Sequence, residues 1–167
     1  KQKLHLIGSF TGKIKGEKRL IRLNPMEEKH ILALAQIEKL CFSVPWTEAG
    51  LRAELESSMA VFVVAEEDET VCGYGGMHFV CGEGYVDNIA VHPNFRRKGI
   101  GEMITKGLLQ YGKEHEGSFI SLEVRSSNRA AVSLYHKLGF QKNGVRKQFY
   151  TNPPEDGWIF TKFLKKN

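Results

Sequence analysis

Apolar and polar positions change period several times along the 167-residue chain. Asn24 before Pro25 has the form of a helix N-cap followed by proline at the first helical position. Glu27 and Glu28 then fall where a helix dipole favours negative charge, so a helix is predicted over 25–42. Ile31, Leu34, Ile37 and Cys41 recur three or four apart within it. Pro45 interrupts the pattern and Thr47 caps a short second helix with Leu51 and Leu55 on one face, so two helices are expected before the sheet. Residues 60–66 are a β-rich run, Glu67-Asp68-Glu69 turns the chain, and 71–80 supplies a partner strand loosened by Gly73, Gly75 and Gly76. Tyr85 to Val91 completes three antiparallel strands, ended by His92-Pro93 because proline cannot donate to the ladder.

Beyond Pro93 the period lengthens again. Ile100, Met103, Ile104, Leu108 and Tyr111 share one face of a helix predicted over 99–114. A strand follows over 118–124, then a helix capped by Asn128, with Ala131, Leu134, Tyr135 and Leu138 as its apolar face and Gly139 at its C′ position. Residues 85–124 suffice for a right-handed crossover between parallel strands, and 140–148 and 158–164 add strands around Asn152-Pro153-Pro154. The order predicts an α/β fold: a mixed central sheet of about 6–7 strands flanked by about 4 helices.

Composition fits one soluble domain, with 41% hydrophobic and 26% charged residues. The net charge of +5 is concentrated at the start. Residues 1–22 hold seven Lys/Arg against one Glu, which leaves 17 against 18, or −1, over residues 23–167. The body lacks the clustered positive charge of a phosphate-tracking surface, so direct nucleic-acid binding is not expected. Residues 1–19 read as a basic arm, a tag or an extension, and 20–167 as the domain. No apolar run approaches a membrane span, and the arm lacks the form of a secretory signal. Cys41, Cys72 and Cys81 are odd in number and show no zinc or disulfide spacing, and His78, His92 and His136 lack metal-ligand spacing, so capping, packing or surface roles are assigned to them. No metal is expected, and a reducing, cytoplasmic location follows.

The string richest in chemistry is Arg96-Arg97-Lys98-Gly99-Ile100-Gly101-Glu102, between a strand end and a helix start. Unpaired N–H groups, the positive dipole end, close backbone approach at glycine and flanking cations together suit a phosphate ester. No Gly-Lys-Ser/Thr follows as in a P-loop, and Ile104 stands where a third dinucleotide-motif glycine belongs.

Arg96-x-x-Gly99-x-Gly101 after Asn88-Ile89-Ala90-Val91-His92-Pro93 resembles the acetyl-CoA-binding motif of the GNAT superfamily of N-acetyltransferases, and the element order is similar to the GNAT fold over residues 20–165. Val44-Pro45-Trp46, Leu122-Glu123-Val124-Arg125, Ser127-Asn128, Leu134-Tyr135, Lys137-Leu138-Gly139-Phe140 and Glu155-Asp156 further resemble the RimI-type ribosomal-protein alanine N-acetyltransferases. The resemblance implies that acetyl-CoA is the cosubstrate, its pantetheine arm pairing with the backbone of Ile89, Ala90 and Val91, its pyrophosphate held by residues 97–102, and Asn128 contacting CoA. It implies Glu123 as proton acceptor, Tyr135 as proton donor, and a protein N-terminus, such as that of a ribosomal protein, as the acceptor. Where the family's tail reads Asn-Tyr-Tyr, this chain has Gln148-Phe149-Tyr150, so the first hydroxyl is lost.

The residue types suit that chemistry. Deprotonating an α-ammonium at pH 7 costs roughly 1 kcal/mol or less, against about 4–5 for lysine, so a modest base suffices for an N-terminus. Glu123 stands near the C-terminal end of its strand, where it acts directly, acts through a water, or pairs with Arg125 or a helix cation. Tyr135 reads as an acid by resemblance and as a packed tyrosine by periodicity. Trp46 and Tyr150 line a substrate groove or fill core. The competing activities are acetylation of lysine or a small amine, and a CoA-binding module without turnover.

Overall fold

The computed structural model describes residues 11–13 and 20–164. In chain order it places β1 at Thr11–Lys13, β2 at Leu20–Pro25, α1 at Ile31–Cys41 and α2 at Glu48–Glu56. Then come β3 at Ala60–Glu67, β4 at Thr70–Val80, β5 at Glu83–Val91 and α3 at Ile100–Glu114. The chain continues through β6 at Phe119–Arg125, α4 at Arg129–Lys137, β7 at Gln141–Thr151 and β8 at Pro154–Phe163. Among the described residues these strands form one mixed sheet in the order β1-β2-β3-β4-β5-β6-β8-β7.

Two expectations are corrected at the start. Asn24 and Pro25 end a strand and cap no helix, for Ile21 and Leu23 are buried around exposed Arg22, a period of two. The helix begins only at Ile31, after a 3-10 turn at Glu28–His30. Strands β1 and β2 therefore precede both helices, and β2 pairs with β3. Thr47 does cap α2, accepting from Gly50 N at 3.1 Å, and Asn128 caps α4, accepting from Ala131 N at 3.1 Å. Gly139 closes α4 with a left-handed φ of 81°.

Two buried layers hold the sheet. Helices α1 and α2 cover one face through Ile31, Leu34, Ile37 and Leu51, packed on Phe62, Val64 and Tyr74. Helices α3 and α4 cover the other through Ile104, Leu108, Tyr135 and Leu138, packed on Val63, Leu122 and Phe160. The glycines of β4 do not loosen it. A Cβ on Gly75 would stand 2.5 Å from Ile104 Cγ2, so glycine lets α3 lie close against the strand.

Two features of β5 position the site. Its parallel ladder with β6 joins only Glu83–Val86 to Phe119–Leu122, so from Asp87 onward β5 keeps a strand partner on one edge alone. Opposite, the register with β4 slips: Gly76 faces Asn88 and Met77 faces Val86, leaving Asp87 as an inserted residue. This bulge turns consecutive side chains to the α1/α2 face, Asp87 toward His78 and Asn88 toward Glu38.

Candidate active site

The gap where β5 leaves β6 brings the sequence-selected residues together. On one side run Ile89, Ala90 and Val91, paired with Gly75, Tyr74 and Gly73 of β4 and carrying no strand on their other edge. The Val91 carbonyl already accepts from Arg96 Nε at 3.1 Å, so Arg96 ties the strand end to the loop that follows. That loop takes a left-handed turn at Arg97 (φ 63°) and again at Gly99 (φ 78°), and then enters α3. Gly99 is the N-cap of this 15-residue helix and no side chain caps it, so the N–H groups of the first turn, including those of Ile100 and Gly101, lack a helical partner. A Cβ on Gly99 would meet nothing within 4 Å, so glycine is there for its backbone angle alone. The anionic member of the string is turned aside: Glu102 pairs with Lys106 at 2.8 Å and Lys137 at 2.5 Å, which hold its carboxyl below the usual range. These residues offer open backbone donors and surrounding cations, which suits a pyrophosphate.

On the other side of the gap β6 delivers Glu123, one-quarter exposed. Its Oε1 lies 3.3 Å from Arg146 Nε of β7, a partner different from the Arg125 or helix cation that the sequence suggested. Tyr135 comes from α4 beneath, packed on Phe140 and Phe160 with ring centroids 5.6 and 6.2 Å away. Burial pushes its hydroxyl far up, and the nearby Tyr150 adds to that. Tyr150 is itself pushed up to about 12, first by burial, with Glu123 and Glu155 raising it further and Arg125 opposing. Glu123, Tyr135 and Tyr150 thus share one electrostatic neighbourhood.

A clamp fixes this corner. Glu155 accepts from Ser127 N at 2.5 Å, Ser126 Oγ at 2.8 Å, Ser127 Oγ at 3.0 Å and Arg125 Nη1 at 3.3 Å, and these donors hold its carboxyl down at about 2. Arg125 in turn lies 4.2 Å over the Tyr150 ring and donates to the Asn152 and Pro153 carbonyls. Asn128, three residues past Arg125, is engaged as the α4 cap.

The opposite wall is the α1–α2 connection. Trp46 packs on Phe62 with centroids 6.1 Å apart, and its N–H donates to Glu38 Oε2 at 2.8 Å. Glu38 is fully buried, and its Oε1 accepts from Asn88 Nδ2 at 3.0 Å and from the Tyr74 hydroxyl. Burial raises its carboxyl while the three donors oppose that rise. Ser43 Oγ donates to the Asn152 carbonyl at 2.6 Å, joining this wall to the β7–β8 turn. Sequence reasoning passed over Glu38, Asp87 and Arg146, and gave His78 only a capping, packing or surface role. Glu38 alone carried a signal, since it stands four residues after buried Leu34 on the inward stripe of α1.

The site has recognisable relatives. The acetyltransferase (GNAT) family pattern matches residues 31–140, about two-thirds of the chain. The chain belongs to this family. A Bacillus subtilis protein described as a candidate ribosomal protein bS18-alanine N-acetyltransferase is 35% identical over 148 residues, covering 88% of this chain and 95% of the relative. The Escherichia coli ribosomal protein bS18-alanine N-acetyltransferase is 27% identical over 135 residues, 81% of this chain and 89% of that protein. The crystal structure of the ribosomal-protein-S18-alanine N-acetyltransferase from Escherichia coli superposes with a TM-score of 0.81 at 25% identity, covering 88% of this chain and 96% of that one. Arabidopsis thaliana NAA60 in complex with acetyl-CoA shares the fold, with a TM-score of 0.77 at 16% identity over 86% of this chain and 98% of that one. The GNAT acetyltransferase described here therefore has the expected sheet-and-four-helix architecture, with seven strands from residue 20 onward and β1 as an eighth.

Proposed function

We propose that this acetyltransferase moves the acetyl group of acetyl-CoA to the α-amino group of a protein N-terminus, by direct transfer in a ternary complex. The observation that carries the reading is the gap between β5 and β6, with an uncapped helix N-terminus on one side and Glu123, Tyr135 and Tyr150 gathered on the other. Acetyl-CoA supplies the activated acyl carbon. The residues around it do the rest. Arg97 to Glu102 hold the pyrophosphate with backbone N–H groups, Ile89 to Val91 offer their unpaired edge to the pantetheine arm, and Asn128 contacts CoA beside its capping bond. Glu123 takes a proton from the acceptor nitrogen, directly or through a water. Tyr135, whose raised pKa keeps it protonated, donates to the departing sulfur. Trp46 and Tyr150 stand on the two walls that the acceptor enters between.

The relatives support a ribosomal protein as the acceptor, and with it a cytoplasmic location. The test incubates the protein and acetyl-CoA with two peptides, one with a free N-terminal alanine and one N-terminally blocked with a free lysine. One added acetyl group, found by mass spectrometry on the first peptide alone, is the expected result. Acetylation of the blocked peptide alone, or of neither, refutes the α-amine reading. Glu123→Gln and Tyr135→Phe should each lower kcat roughly 100-fold or more while leaving acetyl-CoA affinity intact.

A further inference from the structure

The bulge in β5 places Asp87 in an arrangement that the reaction above does not yet use. Asp87 Oδ2 lies 2.8 Å from His78 Nδ1, and His78 Nε2 lies 3.1 Å from Glu54 Oε2 on α2. That Glu54 oxygen is shut off from solvent and has no aligned hydrogen-bond donor. A neutral imidazole carries one N–H, so it can serve one of these carboxylates at a time. Satisfying both requires one more proton, shared along the chain Asp87–His78–Glu54. The inner end of this chain borders the site, because the last rung of the β5–β6 ladder, Val86 against Leu122, leaves Asp87 and Glu123 as the next residues of the two neighbouring strands. The outer end reaches α2, with the His78 side chain one-third exposed.

Proton accounting gives such a chain a task. Converting R–NH3+ and a thioester into R–NH–CO–CH3 forms a C–N bond, breaks the C–S bond with its electron pair staying on sulfur, and removes two protons from nitrogen. One proton ends on the thiol and the other must reach solvent. A single carboxylate accepts one proton at a time, and Glu123 is already paired with Arg146. We propose that Asp87, His78 and Glu54 form a proton relay that carries the second proton from the acceptor site to the α2 surface. The relay rests on the N-acetyltransferase reading above. Its charged surroundings are Glu54 from α2, Asp87 from β5, Glu123 from β6 and, beyond Glu123, Arg146 from β7. His78 hands on its Nε2 proton toward Glu54 and takes a replacement at Nδ1 from Asp87, so no net charge accumulates. Within the relay His78 is the positioning and transfer residue, and nothing here requires it to touch the acceptor.

The experiment measures kcat/KM for an alanine-initiated peptide against pH, in wild type, His78→Gln and Asp87→Asn, with and without added imidazole. Glutamine keeps a hydrogen-bonding side chain but cannot carry a proton. Both variants are expected to lose roughly tenfold or more at pH 7, to show a changed pH profile and to bind acetyl-CoA like wild type, and His78→Gln is expected to recover with imidazole, which supplies the missing ring. A wild-type profile in both variants overturns the relay. So does a His78→Gln loss that imidazole cannot restore, because that marks a merely structural role. If one variant does not fold, the other still reads the rate loss and the pH profile. A wild-type enzyme that leaves the peptide unmodified instead overturns the α-amine reading, so the two failures remain distinct.

Discussion

Replacing Glu38 with methionine tests whether its buried carboxylate holds the α1–α2 connection to the sheet. The side chain has no exposed surface and accepts from Trp46 N, Asn88 Nδ2 and the Tyr74 hydroxyl. Methionine fills similar volume and leaves three donors without a partner, each costing about 2 kcal/mol. Removing a buried charge returns about 2 kcal/mol of that, so the net loss is about 4 kcal/mol. For a chain of this size that lowers Tm by about 8–16 °C. Calorimetry or thermal circular dichroism reads it directly. A double-mutant cycle sharpens the test: Tyr74→Phe should cost about 2 kcal/mol alone and clearly less in the Glu38→Met background, where its hydroxyl has lost its acceptor and keeps only the 3.4 Å contact from Asn88 Nδ2. The pH dependence has a definite sign. Burial raises the folded-state proton affinity of Glu38 above its ordinary 4.5, so its stabilising contribution is full below that value and falls as pH rises through the raised one. The deficit of Glu38→Met should therefore be largest in acid and narrow toward neutrality. A loss below about 1 kcal/mol, or purely additive single effects, would refute the reasoning.

Two further outcomes follow from the clamp and the helix–sheet contact. Glu155 is held down at about 2, first by the Ser127 N–H, so its contribution is present above the ordinary carboxylate value and disappears as pH falls through about 2. An acid titration of Glu155→Gln against wild type should show separate unfolding curves at pH 6 that merge near pH 2, and curves that coincide throughout would remove the clamp's role. Gly75→Val drives a Cβ to 2.5 Å from Ile104 Cγ2 and should cost about 1–3 kcal/mol by urea unfolding, whereas unchanged stability would show that α3 gives way freely.

The sequence was informative wherever a local rule operates. The period of Ile100, Ile104 and Leu108 marks α3 because those positions face the sheet, and Asn128 and Gly139 bracket α4 because cap chemistry is local. Asn24-Pro25 misled because a cap-like pair also suits a strand end, and the alternation of Ile21, Arg22 and Leu23 that marks β2 spans only a few residues. The family strings brought Glu123, Tyr135 and Tyr150 into view, and the structure sets them in one neighbourhood. Asp87 and Arg146, and the partners of His78, are illegible in the sequence for a physical reason. Their partners lie on other strands or on α2, and the slip that turns Asp87 toward His78 is a register event between β4 and β5 with no composition of its own. The reason for Gly75 lies in α3, far along the chain, and that for Gly76 in the Phe62 ring of β3.

The short ladder between β5 and β6 also divides the molecule mechanically. Residues before it build β1 to β5 with α1 and α2, residues after it build β6 to β8 with α4, and four paired residues per strand stitch the two lobes along the sheet. Helix α3 and the shared apolar layer provide the remaining fastening. Acetyl-CoA bound in the gap as proposed would span both lobes, and saturation at about 100 times its Kd would add about 2.7 kcal/mol to the folding stability. The expected consequence of that seam is slower proteolysis of the protein saturated with acetyl-CoA than of the free protein.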